Sequence, residues 1–169
     1  MGRPEKAKMR RLNGSPQVLF PVGEEGGRLR SFQAAKEAGI ITSDFPLYKC
    51  MTCDKDCVYA RCEACGSPTL KLYFCRQCGS KEGPLCKQHG ETQTYQRRSI
   101  QVSPHFNAVL AKLKMRNYPD LIKGVLGTSN KDHIPEHLAK GILRAKTTIF
   151  VNKDGTTRYD MSELPIPHV

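Results

Sequence analysis

CMTCDKDCVYARCEACGSPTLKLYFCRQCGSKEGPLCKQH, Cys50–His89, holds eight cysteines and one histidine, and eight of these nine side chains form four pairs with a two-residue gap. The pairs are Cys50 with Cys53, Cys62 with Cys65, Cys75 with Cys78, and Cys86 with His89. Such a gap lets both donors of one tight turn face a single ion, and two turns complete the tetrahedron of N and S donors that Zn²⁺ prefers at about 2.0–2.3 Å. Taking neighbours in order predicts two structural zinc centres, one on Cys50, Cys53, Cys62 and Cys65, the other on Cys75, Cys78, Cys86 and His89. Gly66, Gly79 and Gly90 follow three of the pairs, where a knuckle needs the positive φ that glycine tolerates. Cys57 is left over. Four protein donors close a site, so the centres are expected to be structural, since catalytic zinc keeps an open position. No H-E-x-x-H constellation appears, which argues against a zinc hydrolase. Asp54 and Asp56 form the only close D-x-D pair, and their place between Cys53 and Cys57 predicts solvated knuckle residues. A disulfide framework is the competing use of an even number of cysteines, but it belongs to small secreted chains. Here Met1-Gly-Arg-Pro-Glu-Lys6 is followed by no apolar h-region, so no signal peptide is expected and the cytoplasm is the expected location.

The charge is the second strong feature. The 169 residues carry a formal net charge of +11, which favours a polyanionic partner, most simply nucleic acid. Thiolate-rich zinc centres would lower that charge without reversing it. Apolar runs are short, so no membrane span is expected. Lys6 stands where a myristoylation signal needs Ser or Thr.

Residues 1–16 form a basic arm in which Arg3, Lys6, Lys8, Arg10 and Arg11 surround one acid, Glu5. Gln17–Val22 is strand-like and ends at Gly23, and Gly26-Gly27 is a turn. Ser31 to Gly39 predicts a helix with a serine N-cap and a glycine stop. Thr69–Phe74 alternates and reads as a strand. Pro104–Arg116 places Phe106, Val109, Leu110 and Leu113 on one helical stripe. Pro119–Val125 predicts a second short helix, closed by Gly127. A third should start near Pro135, burying Leu138, Ile142 and Leu143, with Lys140, Arg144 and Lys146 mostly on its other side. Thr148–Val151, the turn Asn152–Gly155 and Thr156–Tyr159 predict a β-hairpin. Leu164–Val169 has no obvious packing partner. The fold class is therefore α+β: a basic strand-helix segment over residues 1–48, paired zinc-ribbon or knuckle modules over 49–92, and a helical and β-hairpin segment over 93–169 that is expected to be an incomplete domain.

Three segments in this order resemble the large subunit of the archaeal D-family DNA polymerase. They are Met1-Gly-Arg-Pro-Glu-Lys-Ala-Lys8 with Val18–Gly23; the paired knuckles; and Leu121–Val125 with Ile134-Pro-Glu136, Lys140-Gly-Ile-Leu-Arg-Ala-Lys146 and the Phe150–Thr156 hairpin. The resemblance covers nearly the whole chain. It implies part of a template-dependent DNA polymerase whose core is built on double-psi β-barrels, which acts with a small proofreading subunit and to which a 3′→5′ exonuclease activity is also attributed. It implies Mg²⁺ at the complete active site. The family's acidic Asp-Phe-Asp-Gly-Asp type of motif is absent here, so Mg²⁺ is not expected on this chain and the isolated chain is expected to be inactive, a fragment or split-gene piece. His89 stands where the family usually has cysteine, and Asp54 where it usually has a knuckle glycine.

Expected partners are primer-template DNA, the remainder of the large subunit and the small subunit, with no membrane. Lys6 and Lys8 are the expected phosphate contacts at the reaction; Arg3, Arg10, Arg11, Arg144 and Lys146 are further expected DNA contacts. The alternative from another class is a stand-alone zinc-ribbon nucleic-acid-binding accessory protein without catalysis, which needs the same knuckles and charge.

Overall fold

The computed structural model describes residues 19–151 and 157–158. The basic arm with Arg3, Lys6, Lys8, Arg10 and Arg11, together with Gln17, Val18, the hairpin turn and the last eleven residues, lies outside the described residues.

A 3₁₀ turn at Glu24–Gly26 leads to helix α1, Phe32–Ala38. Its ends are those the sequence predicts: Ser31 Oγ accepts from the Ala34 amide, and Gly39, at φ 81°, receives the chain in the left-handed region. Strand β1, Ile40–Pro46, follows. After the cysteine block the chain returns as β9, Tyr95–Gln101, and pairs antiparallel with β1 from Ile40↔Gln101 to Pro46↔Tyr95. The block thus leaves and re-enters through a two-stranded clasp.

The clasp lets the two flanks share one core. Phe20, Val22, Phe32, Ile41 and Phe45 before the block meet Val102, Phe106, Ile122, Leu138 and Ile142 after it, with Val58 as the block's own contribution. Phe32 and Phe106 rings lie 5.3 Å apart, and Phe20 meets Phe32 edge-on at 5.8 Å.

Within the block, β2 (Tyr48–Cys50) pairs with β3 (Asp56–Cys57) on one side and β4 (Thr69–Lys71) on the other. The expected single strand over Thr69–Phe74 is two: at Leu72 the backbone amide turns to Leu47 O, and β5 (Tyr73–Cys75) starts a new pairing. Hairpin β5–β6 (Gly79–Lys81) and hairpin β7–β8 (Leu85–Cys86 with Gly90–Glu91) follow.

Beyond the clasp, helix α2 spans Val102–Leu113, two residues earlier at its start than the stripe predicts, because the Val102 amide bonds Gly39 O. It buries Phe106 and Val109.

The expected helix over Pro119–Val125 does not form. This stretch is extended: the Phe32 amide bonds Ile122 O, the Gly124 amide Arg30 O, and the Val125 amide Phe20 O. Tertiary backbone partners replace the i→i−4 bonds of so short a helix, which costs more to nucleate than it returns. Gly124 is what permits the approach, since a Cβ there would sit 2.5 Å from Phe20 O and 2.7 Å from Val22 Cγ1. Gly124→Ala should lower unfolding stability by about 1–3 kcal/mol in denaturant titration.

Helix α3, Leu138–Lys146, starts later than Pro135. The Asn130 side chain bonds both backbone groups of Ile134, at 2.6 and 2.9 Å, and holds the approach non-helical. His137 becomes the N-cap, with Nδ1 accepting from the Ala139 amide. Leu138 and Ile142 are buried as predicted, but Leu143 is 45% exposed, because the buried stripe runs through Leu138, Gly141 and Ile142 and leaves it to one side. Strands β10 (Phe150–Val151) and β11 (Thr157–Arg158) pair antiparallel, the framework of the predicted hairpin. Among the described residues no helix is long and apolar enough to cross a membrane.

His137 makes one junction sensitive to pH. Its ring stacks on Tyr59 at 5.0 Å, and Tyr59 Oη donates to Glu136 O at 2.8 Å, tying the cysteine block to α3. Burial, then Lys112 and Lys140, hold the imidazole below its ordinary pKa. A depressed histidine pKa stabilises the fold fully above the unfolded value near 6.5, and that contribution fades as pH falls through the folded value. Denaturant midpoints measured from pH 7.5 to 5.5 should therefore drop less steeply for His137→Asn, which still caps a helix, than for the parent. The difference should be below about 1 kcal/mol, since the ring is partly solvated.

Candidate metal centres

Each two-residue-gap pair sits on a tight turn whose backbone aims both donors the same way. The Cys50 amide bonds Lys55 O and the Cys62 amide bonds Ser67 O, both at 2.9 Å. Gly66, Gly79 and Gly90 adopt φ of 75°, 81° and 77°, and Asp54 adopts φ 54° at the equivalent place in the first knuckle. Aspartate tolerates that region better than most L-residues, and Asp54 is further held by Lys49 at 2.9 Å.

The turns bring together two sets of four donors, Cys50, Cys53, Cys62, Cys65 and Cys75, Cys78, Cys86, His89, with all ligand atoms of each set within 4.8 Å of one another. In the first set Cys50 Sγ lies 3.4 Å from Cys65 Sγ, Cys53 Sγ 3.6 Å from Cys62 Sγ and 3.8 Å from Cys65 Sγ. In the second, His89 Nδ1 lies 3.6, 3.1 and 3.6 Å from the sulfurs of Cys75, Cys78 and Cys86. A tetrahedral ion with bonds of about 2.3 Å has donors about 3.8 Å apart, so these separations fit one ion in each set. They do not fit disulfides, whose S–S distance is about 2.05 Å, and all eight cysteines are free thiols.

The surroundings favour anionic sulfur at Cys62 and Cys86. The Gln88 amide and the Lys81 ammonium, 3.1 Å from Sγ, hold Cys86 down to about 5. At Cys62 burial pushes the thiol up, but the amides of Cys65 and Ala64 outweigh it and bring it to about 6. Burial, joined by Cys50, pushes Cys53 up to about 12; a coordinated cation removes such a proton outright. Cys57 belongs to neither set. It is buried, its Sγ faces Lys55 O at 3.5 Å, and burial pushes its thiol up to about 12. Asp54 and Asp56 are exposed knuckle residues whose partners are Lys49 and Arg98.

Arg98 was not legible as a key residue. From β9 its Nη2 donates to Pro46 O at 2.9 Å and Cys57 O at 2.8 Å, so it fastens the β3 end of the first knuckle to the clasp. A charged residue in a polar strand gives no signal of this. Arg144, an expected DNA contact, is paired with Glu136 at 2.7 Å, and both side chains are largely buried. Lys146 is exposed.

Two family profiles match in order along the chain: residues 1–83 match "DNA polymerase II large subunit DP2, central domain", and residues 114–169 match "DNA polymerase II large subunit DP2, catalytic domain". Among curated relatives, the DNA polymerase II large subunit of Nanoarchaeum equitans is 38% identical over 194 residues, with 99% of this chain and 16% of the relative covered. The namesakes from Archaeoglobus fulgidus and Methanocella arvoryzae are 39% and 42% identical over 178 residues, again with 99% of this chain and 16% of each relative covered. The chain thus spans 16% of the length of these relatives. With two domain profiles of one subunit met in sequence and relatives aligned from end to end of these residues, the chain belongs to the DNA polymerase II large-subunit family, at the passage from the central to the catalytic domain.

Proposed function

We propose that this chain is a zinc-braced part of the large catalytic subunit of a template-dependent DNA polymerase that works in replication. The observation that carries the reading is the succession of two profiles of the same subunit along a chain that carries two four-donor sets. In this reading each set holds a structural Zn²⁺, and the metals stiffen an excursion that the β1–β9 clasp anchors to the core. All four positions around each ion come from protein, so the centres supply rigidity and not chemistry.

Nucleotidyl transfer in such polymerases uses Mg²⁺ to align the primer 3′-hydroxyl with the incoming α-phosphate. This sequence has no Asp-Phe-Asp-Gly-Asp type of motif, so the carboxylates would come from the remainder of the subunit. What this chain offers is cationic: Lys6 and Lys8 as phosphate contacts where charge develops, and Arg3, Arg10, Arg11 and Lys146 along the DNA backbone. Arg144 is the weaker member of that set because Glu136 already holds it. The larger assembly includes DNA, the rest of the large subunit within a double-psi β-barrel core, and a small proofreading subunit; a 3′→5′ exonuclease activity belongs to that holoenzyme. No observation favours the stand-alone accessory-protein reading.

The test is replacement. A chimera in which this chain substitutes for the matching stretch of the Archaeoglobus fulgidus large subunit, assembled with that organism's small subunit, should extend a primer on a template. The isolated chain should incorporate no nucleotide. A folded, metal-loaded chimera without extension would count against the reading.

A further inference from the structure

A cleft of about 650 Å³ opens between the first donor set, β9 and α2. Its walls are apolar at Leu47, Val58, Ile100 and Ala108, and two polar side chains are sunk into it. Glu63 is 9% exposed; one carboxylate oxygen is held by His105, and the other, Oε1, is buried without a partner. Arg98 spends its Nη2 on Pro46 and Cys57, while its Nε–H is buried without one. An unpaired acceptor and an unpaired donor in one cleft are costly to leave unmet.

The strand beside the cleft is unpaired on one edge. Strand β9 pairs with β1 alone among the described strands, and no other backbone partner of Tyr95–Gln101 occurs among the described residues. Arg98, Ser99, Ile100 and Gln101 line the cleft in succession. Successive residues of a strand point to opposite faces, so such a run places the strand's edge, and not one face, toward the opening. An open edge is a template for a further strand. Most of each relative, all but 16% of its length, lies outside the matched stretch.

We infer that this cleft receives an extended polypeptide segment from the remainder of the large subunit, added along the free edge of β9. The inference rests on the reading of the chain as part of that subunit. Its apolar walls then take side chains of the incoming segment, and the pairing locks the first metal centre to its surroundings.

A photo-cross-linking residue placed at Gln101, which is exposed at the cleft rim, tests this in the Archaeoglobus fulgidus chimera, without DNA. Mass spectrometry should locate the cross-linked peptide in the large subunit outside the inserted chain. Ala108→Trp, which fills the cleft, should cut that yield by about tenfold, the factor that a loss of roughly 1.4 kcal/mol produces. In the same chimera the amides of residues 95–101 should exchange with deuterium more slowly than in the isolated chain. Absence of cross-links, or cross-links confined to the inserted chain, to the small subunit or to a second copy, would overturn the inference, as would unchanged exchange. Primer extension measured on the same sample separates this failure from failure of the polymerase reading: an extending chimera with none of these signatures loses only the docked segment.

Discussion

Chelation of the purified chain is expected to unfold the cysteine block and, through the clasp, to loosen the shared core. Structural zinc contributes apparent binding free energy of about 10–16 kcal/mol at neutral pH, while a whole domain is stable by about 5–15 kcal/mol. The block has little else to hold it. Its strands run two or three residues, and its own buried cluster consists of Tyr48, Cys50, Cys57 and Cys62, with Cys53 packed against it. Circular dichroism during titration with a strong chelator should show a cooperative loss of structure, reversed by added Zn²⁺. Cys62→Ser should remove one metal and most of the first module's protection against proteolysis. Cys57→Ser should leave metal content unchanged, because Cys57 lies outside both four-donor sets. Indifference to chelator would mean that packing, and not metal, holds the knuckles.

The second large effect is expected from Lys6→Ala combined with Lys8→Ala in the chimera. A cation aimed at charge that develops on a phosphate acts mainly in the transition state, so its loss lowers kcat more than it weakens binding. Removing one such contact typically costs on the order of 10²–10³-fold in rate. Turnover at saturating primer-template should fall by that order while DNA affinity changes little. If the two lysines only neutralise backbone phosphates, turnover should survive and the salt dependence of binding should flatten by about one unit per lost contact. Measuring both quantities on the same variants separates the cases.

What the sequence made legible follows from the range over which each feature is determined. Metal-donor pairs are set by local geometry, so the four knuckles, their glycines and both donor sets could be read from spacing alone. The ends of α1 were equally local, fixed by Ser31 and Gly39. The clasp was not legible. Strand β1 alternates inward at Ile41, Ser43 and Phe45, with a buried serine breaking the apolar pattern, and β9 offers Ile100 among polar residues. Each strand is specified by the other, across the whole cysteine block. The stretch 119–125 failed for a related reason: its apolar residues match a helical stripe, but its backbone partners are Phe20, Arg30 and Phe32, far back in the chain. Arg98 and Arg144 show the limit for charges. A sequence displays the cation but not the carbonyls or the carboxylate to which the fold turns it.

Native mass spectrometry of the chain, purified under reducing conditions without chelator, counts the metals directly. Two zinc ions per chain and no disulfide are expected, falling to one zinc in either Cys62→Ser or His89→Ala and to none when both are combined. A single metal per chain, or eight cysteines consumed in disulfides, would contradict the two zinc centres.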